Sequence, residues 1–289
     1  MVSSRTTLWR VVPKMNKAKL RKAIEKAYFG AKEMGLLNEQ LPSGRQLRVG
    51  ALDGSQCGVI SFTCVDVLGS VDVLLDLEVW EGPGKELPTA GRLLRRCVQT
   101  YGRGFVELLL GDGAYITQNM IRQCREQVGC HLLVKTQEVE TLNILKDARA
   151  LFDAPKGALG PIEYEKGTDA ERGVSNEVWA AGGFAFEGVT DRLKVARVRE
   201  VALKGKKAGT VSEFWGITTW DDLKGLEMRE LAHRRWSIEN RGFKALNEHC
   251  GSKRVWTHDP ETFEALMLML FLGFVLMQCF LVESRLAGD

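Results

Sequence analysis

The sequence predicts a mixed α/β fold, a sheet with both antiparallel and parallel strands flanked by helices. Two apolar strands followed by a strictly alternating third, all joined by short connections, predict an antiparallel meander. Residues 89–134 then alternate helix, strand, helix, strand, the pattern that adds parallel strands to a sheet. From residue 223 onward the periodicity is helical to the end.

In order, Leu20, Ile24, Ala27 and Ala31 share one face of a helix over residues 16–35, and Gly35 is its stop signal. Lys17, Arg21 and Lys22 occupy the rest of that helix. After the turn Pro42-Ser43-Gly44, a first strand ends near Leu52 and a second covers residues 58–68. Residues 71–79 are apolar at odd positions and mostly acidic at even ones, the period of a half-buried strand. A helix over 89–100, a central strand over 105–110, a helix over 117–128 and a buried strand over 132–134 follow. Gly-rich, polar sequence with short alternating runs then predicts an inserted, mainly β subdomain outside the main layer. The domain reading is a basic N-terminal helical segment (1–45), a first core part (46–136), the insertion (137–213) and a second core part (214–289). Residues 265–282 are apolar apart from Gln278, long enough for a membrane span or a core helix. No Lys/Arg cluster flanks them, so they are read as a fully buried core helix, with no membrane partner.

The charge is uneven. Lys and Arg total 40 and Asp and Glu 37, giving +3, but residues 1–50 hold 11 basic and 3 acidic side chains. Residues 191–207 hold a further 7 basic and 2 acidic. Two basic segments suit a polyanionic partner without requiring one. Seven cysteines contain no C-x-x-C pair, which argues against a zinc ribbon or a thioredoxin-type redox site. No secretory h-region is visible at the N-terminus.

No G-x-S-x-G, H-E-x-x-H, Walker A or G-x-G-x-x-G motif is present. What stands out is carboxylates at strand ends: Asp53 in Ala51-Leu52-Asp53-Gly54-Ser55, and Asp112 in Leu110-Gly111-Asp112-Gly113-Ala114-Tyr115. If those strands are adjacent and parallel, the two acids meet at one sheet end, where a cation such as Mg²⁺ would relieve their repulsion. Alternatively, each Asp-Gly simply marks a turn. A helix over 228–248 carries Glu239 at the edge of its apolar stripe, one turn after Arg235. These two form either an ordinary i,i+4 pair or a third metal carboxylate beside a phosphate-facing arginine.

Leu52-Asp53-Gly54-Ser55, Gly111-Asp112-Gly113-Ala114-Tyr115 and Arg235-Trp236-Ser237-Ile238-Glu239-Asn240, with Phe243 and Leu246, resemble the three acidic signatures of DDE transposases of bacterial insertion sequences. The resemblance spans about residues 45–280 and implies an RNase H-like sheet with two divalent ions, Mg²⁺ or Mn²⁺, on Asp53, Asp112 and Glu239. On that resemblance Asp53 would bridge both ions, Asp112 hold one and Glu239 the other. It implies cleavage at DNA element ends and transfer of the freed 3′-OH into target DNA. Arg235, Lys244, Arg192 and Lys194 are the expected phosphate contacts, and a homodimer on nucleoid DNA in a bacterial cytoplasm is the expected assembly. The related Y-x2-R-x3-E-x6-K signature is matched at Arg235 and Glu239 but not at Ala232 or Leu246. Only 52 residues precede Asp53, which suggests a truncated copy, one reading frame of a split element or a protein kept for another purpose. The alternative function is therefore a DNA-binding remnant that partners or restrains a complete transposase.

Overall fold

The computed structural model describes residues 10–80, 82, 84–137, 140–154, 162–205, 207–235, 244, 248 and 257–286. Helix α1, Lys17–Glu33, starts where the Asn16 side chain accepts the Lys19 amide at 3.1 Å, a side-chain N-cap. A two-residue ribbon, β1 (Glu39–Gln40) with β2 (Gln46–Leu47), leads into the main sheet. The expected meander forms there: β3 (Val49–Cys57), β4 (Ile60–Leu68) and β5 (Val73–Trp80) are antiparallel neighbours. After α2 (Glu86–Tyr101), β6 (Leu108–Asp112) pairs parallel with β3. The short helix α3 (Gln118–Arg122) runs on into a π-helical turn, and β7 (His131–Thr136) then pairs parallel with β6.

The next segment corrects one expectation. It is β-rich, but it does not leave the main layer. After α4 (Asn143–Asp153) come β8 (Glu163–Asp169), β9 (Val174–Phe186), β10 (Val189–Ala202) and β11 (Val211–Thr218). Each is antiparallel to its neighbour, and β11 pairs with β7, giving one nine-stranded sheet in the order β5-β4-β3-β6-β7-β11-β10-β9-β8. The alternation visible in sequence reports a pleated strand but not the partner it pairs with.

Helices cover both faces. Leu93, Leu94, Ile121, Leu145 and Phe152 of α2, α3 and α4 pack with Val65, Val67, Leu109, Val134 and Trp215 of the sheet. On the other face, α5 (Gly225–Arg234) and α6 (Pro260–Leu286) pack Met228, Leu231, Met267 and Phe271 against Ala51, Leu110 and Leu133. The acidic side of β5 is not solvated. Asp76 is held by Arg21 Nε at 2.9 Å and Arg96 Nε at 2.5 Å, so paired charge lets helices cover a face that the sequence pattern assigns to water.

α6 is also not the fully buried helix expected. Phe263, Met267, Leu268, Phe271 and Val275 are buried, whereas Leu276, Met277, Phe280 and Leu281 are exposed. The helix is long and apolar enough to cross a membrane by length and composition, and well under half of its most apolar stretch is buried. Gln278 ties it to the sheet, donating to the Asp72 carbonyl at 3.0 Å and accepting the Asp72 amide at 3.1 Å.

Candidate active site

The site begins with strand register. Val49, Gly50 and Ala51 of β3 lie opposite Leu108, Leu109 and Leu110 of β6. Asp53 and Asp112 each stand two residues beyond the last of these pairs, so they reach the same level on adjacent parallel strands. Two residues is also one full side-chain period, which puts both on the face of Ala51 and Leu110, beneath α5 and α6. Asp53 does not follow the end of its strand, as the Asp-Gly signal suggested. β3 continues through it to Cys57, and Asp53 pairs with Cys64 of β4. Asp112 is the last residue of β6, where its carboxylate accepts the Ala114 amide at 3.0 Å and caps a 3₁₀ turn, Gly113–Tyr115.

Glycine suits both flanks of Asp112, because the turn folds back over Gly111 and β7 crowds Gly113. A Cβ on Gly111 would lie 3.1 Å from the Tyr115 side chain, and one on Gly113 2.8 Å from Thr136 Oγ1. The Tyr115 hydroxyl donates to Glu86 Oε1 at 2.7 Å, tying the turn to the first residue of α2. Burial, then Glu86, then the negative charge of Asp112 and Asp53 push the Tyr115 hydroxyl above its ordinary pKa, which keeps it a proton donor. The Glu86 carboxylate packs directly against Gly54, leaving no room there for a Cβ.

Positive charge arrives from α5. Arg235 follows its last residue, and Arg235 Nη1 lies 3.7 Å from Asp53 Oδ2 with both side chains about nine-tenths buried. The helix is fixed by a buried ion network. Arg229 bonds Glu200 of β10 at 2.6 Å and Asp169 of β8 at 3.1 Å, and His233 contacts Glu200 at 2.9 Å. Arg172 grips Glu230 through two bonds of 2.7 and 2.8 Å. Burial pushes Glu200 up, but His233 and Arg229 outweigh it and hold the carboxyl below its ordinary value.

Other expected residues fall elsewhere. Glu239 and its neighbours from Trp236 to Phe243, with Leu246, lie outside the described residues. Lys194 is 5 % exposed, its ammonium held by Glu163 at 2.7 Å and the Asp221 carbonyl at 3.1 Å, so it does not face a DNA backbone. Arg192 is exposed, but it lines a cleft of about 700 Å³ with His131, Thr219 and Trp220. His131 begins β7, which places that cleft at the sheet end opposite Asp112. Lys244 is exposed and pairs with Glu248 at 3.8 Å. The basic run of β10 is largely occupied internally, since Arg197 pairs with Asp153 at 2.7 Å and Glu213 at 2.9 Å, and Arg199 approaches Glu177 at 3.7 Å.

Sequence reasoning missed two neighbours of the site, Glu86 and Lys135. Both lie just outside the helix at 89–100 and the strand at 132–134 that the sequence periodicity predicts. Lys135 is the direct register partner of Asp112.

A sheet of this order, with a carboxylate on each of two central parallel strands and helices on both faces, defines an RNase H-like fold with an acidic site at one sheet end. The family model described as a transposase DDE domain matches residues 62–276, well over half of the 289, and the chain belongs to that family. It is therefore a transposase, of a family that acts on DNA and generally uses divalent metal ions. The matched region begins beyond Asp53 and includes Asp112 and Glu239. No curated protein matches the chain.

Proposed function

We propose that this transposase cleaves DNA at the ends of a mobile element and joins the freed 3′ ends to target DNA, with Asp53, Asp112 and Glu239 as the catalytic carboxylates. The observation that supports the reading is the β3–β6 register, in which Asp53 and Asp112 each stand two residues past the Ala51–Leu110 pair on neighbouring parallel strands. Among the described residues no three His, Cys, Asp or Glu side chains come together as a metal site. The donor set nonetheless fits a hard divalent cation: two carboxylates in one place, at least one of them mostly buried, call for positive charge and offer only oxygen. Asp53 and Asp112, joined by Glu239, would hold Mg²⁺ or Mn²⁺, two ions being expected. When bound, such ions stabilise charge on the phosphodiester and favour the deprotonated form of the attacking hydroxyl.

The protein's own groups do the rest. The Asp112 carboxylate is oriented by the Ala114 amide, and its turn is held through Tyr115 and Glu86. Arg235 approaches Asp53 at 3.7 Å, close enough to orient that carboxylate and to meet a phosphate held beside it. Two element ends must be joined in one event, so the active species is a dimer on DNA, working in the bacterial cytoplasm.

The test is a nicking assay on element-end DNA with Mg²⁺ or Mn²⁺. Metal-dependent nicking is expected, with a loss of at least about a hundredfold in Asp112→Asn. Binding without nicking, or nicking unaffected by Asp112→Asn, defeats the reading; the first outcome is that of a DNA-binding remnant.

A further inference from the structure

We propose that the outward stripe of α6 is the surface through which two copies of this chain pair, antiparallel about a two-fold axis. Joining two element ends in one event calls for a dimer; the interface rests on that reading for its purpose, not for its geometry.

Periodicity comes first. In the second half of α6 the exposed positions, among the described residues, are Gly273, Leu276, Met277, Phe280, Leu281 and Ser284. Steps of 3, 1, 3, 1 and 3 residues trace one face of a helix, and none of the six is charged. The other side of the helix is in use: Val275 is buried, and Cys279 and Val282 pack on the same apolar core. Leu276 and Phe280 are 56 % and 67 % exposed, Met277 and Leu281 41 % and 46 %.

The small residues come second. Glycine inside a helix costs about 1 kcal/mol relative to alanine. Nothing in this chain requires it at Gly273, where an added Cβ would meet open space. A second helix lying close across that point would require it. The Ser284 hydroxyl donates to the Phe280 carbonyl at 2.8 Å, so covering it strands no polar group.

Self-complementarity comes third, and it selects the partner. Reversed about the midpoint between Gln278 and Cys279, the stripe maps onto itself: Gly273 onto Ser284, Leu276 onto Leu281, Met277 onto Phe280. An isologous two-fold contact demands such a match. Gly273, Met277, Phe280 and Ser284 follow the 4-3-4 spacing of a coiled-coil seam, flanked by Leu276 and Leu281. Large side chains therefore meet at the centre and small ones at the ends. The four large residues leave roughly 400 Å² of side chain uncovered per copy, the patch size that marks an interaction site. Two copies would bury about 800 Å² there, the core of an interface that its rim carries past about 1,000 Å². A bilayer has no need of a matched reversal or of small residues at the ends of the stripe. The bonds of Gln278 to the Asp72 backbone also keep one side of α6 on the sheet.

Sedimentation of the full chain over a concentration series, without DNA or metal, tests the pairing. A dimer with a dissociation constant on the order of micromolar is expected. Phe280→Glu should weaken it by about a hundredfold or more, since both copies carry the change, with no shift in the unfolding midpoint. Val59→Asp, at an apolar residue 70 % exposed on the β3–β4 turn, should leave it unchanged. Met277→Glu and Phe280→Lys should each be monomeric alone and form a dimer when mixed one to one, because the antiparallel register sets that glutamate on that lysine. A chain that stays monomeric up to about 0.1 mM overturns the proposal. So does a dimer indifferent to Phe280→Glu, an equal loss in Val59→Asp, or a mixture that fails to pair. A monomer that floats with phosphatidylcholine vesicles overturns it in favour of a lipid face. If metal-dependent nicking fails while pairing depends on Phe280, the cleavage reading falls and the interface stands. Nicking by a chain that never pairs leaves cleavage standing and removes the interface.

Discussion

Replacing Arg229 with Leu should cost about 3 kcal/mol of folding stability, toward the low end of what breaking a buried ion pair costs. The size follows from burial and from what remains. Arg229 and Glu200 are 5 % and 6 % exposed, and their bond is 2.6 Å. Without the guanidinium, Glu200 keeps, among the described residues, the His233 contact at 2.9 Å, and Asp169 keeps Arg172 at 2.7 Å. The loss should depend on pH in a defined sense. Burial raises the Glu200 carboxyl, but His233 and Arg229 together hold it below its ordinary value of 4.5. A depressed carboxyl stabilises the fold above its unfolded pKa, and that stabilisation fades as pH falls through the folded value. The deficit of Arg229→Leu should therefore be complete at pH 7 and shrink toward pH 4. Urea unfolding at both pH values measures it. The double variant Glu200→Leu/Arg229→Leu should recover most of the loss, since it removes the stranded charge along with its partner. A single-variant cost below about 1 kcal/mol, or a double variant less stable than Arg229→Leu, would refute the argument that this network fixes α5 and hence Arg235.

Two further perturbations test the core. Trp215 is fully buried and stacks on Phe152 with ring centroids 6.0 Å apart, so Trp215→Ala should cost about 3–5 kcal/mol in urea unfolding; a loss under about 1 kcal/mol contradicts the packing. Asp66 is completely buried, and burial followed by Asp72 pushes its carboxyl well above the ordinary value, only partly offset by the Val67 amide. A raised carboxyl stabilises the fold below its unfolded pKa and loses that as pH climbs. Asp66→Asn should thus be more stable than the parent at pH 7 and near parity at pH 4, which unfolding midpoints at the two pH values will show; a parent that is the more stable at pH 7 contradicts it.

Patterns confined to one element were legible in the sequence. The strand itself at residues 73–80, the apolar stripe of α1 and the end of α1 just before Gly35 depend only on side-chain period and local turn chemistry, and they emerge where expected. Asp53 and Asp112 could be picked out because an acid beside glycine in an apolar strand is unusual wherever the strand goes. That Asp76 is covered by Arg21 and Arg96 was not legible, since an acidic alternating face reads as solvated until its partners, distant in sequence, are known.

By itself, then, the sequence determined most of the strands and helices, though not α4, and named an acidic pair with a basic helix to follow. Tertiary structure alone decided that β3 and β6 run parallel at a register that levels Asp53 with Asp112, and that β11 joins β7 so that the β-rich segment widens one sheet. It also decided which cations reach the acids. Arg235 does so from the end of an anchored helix, while Lys194, equally prominent in the sequence, is buried against Glu163. The physical reason is that charge acts over a few ångströms of space, and pairing between strands far apart in the chain sets those distances.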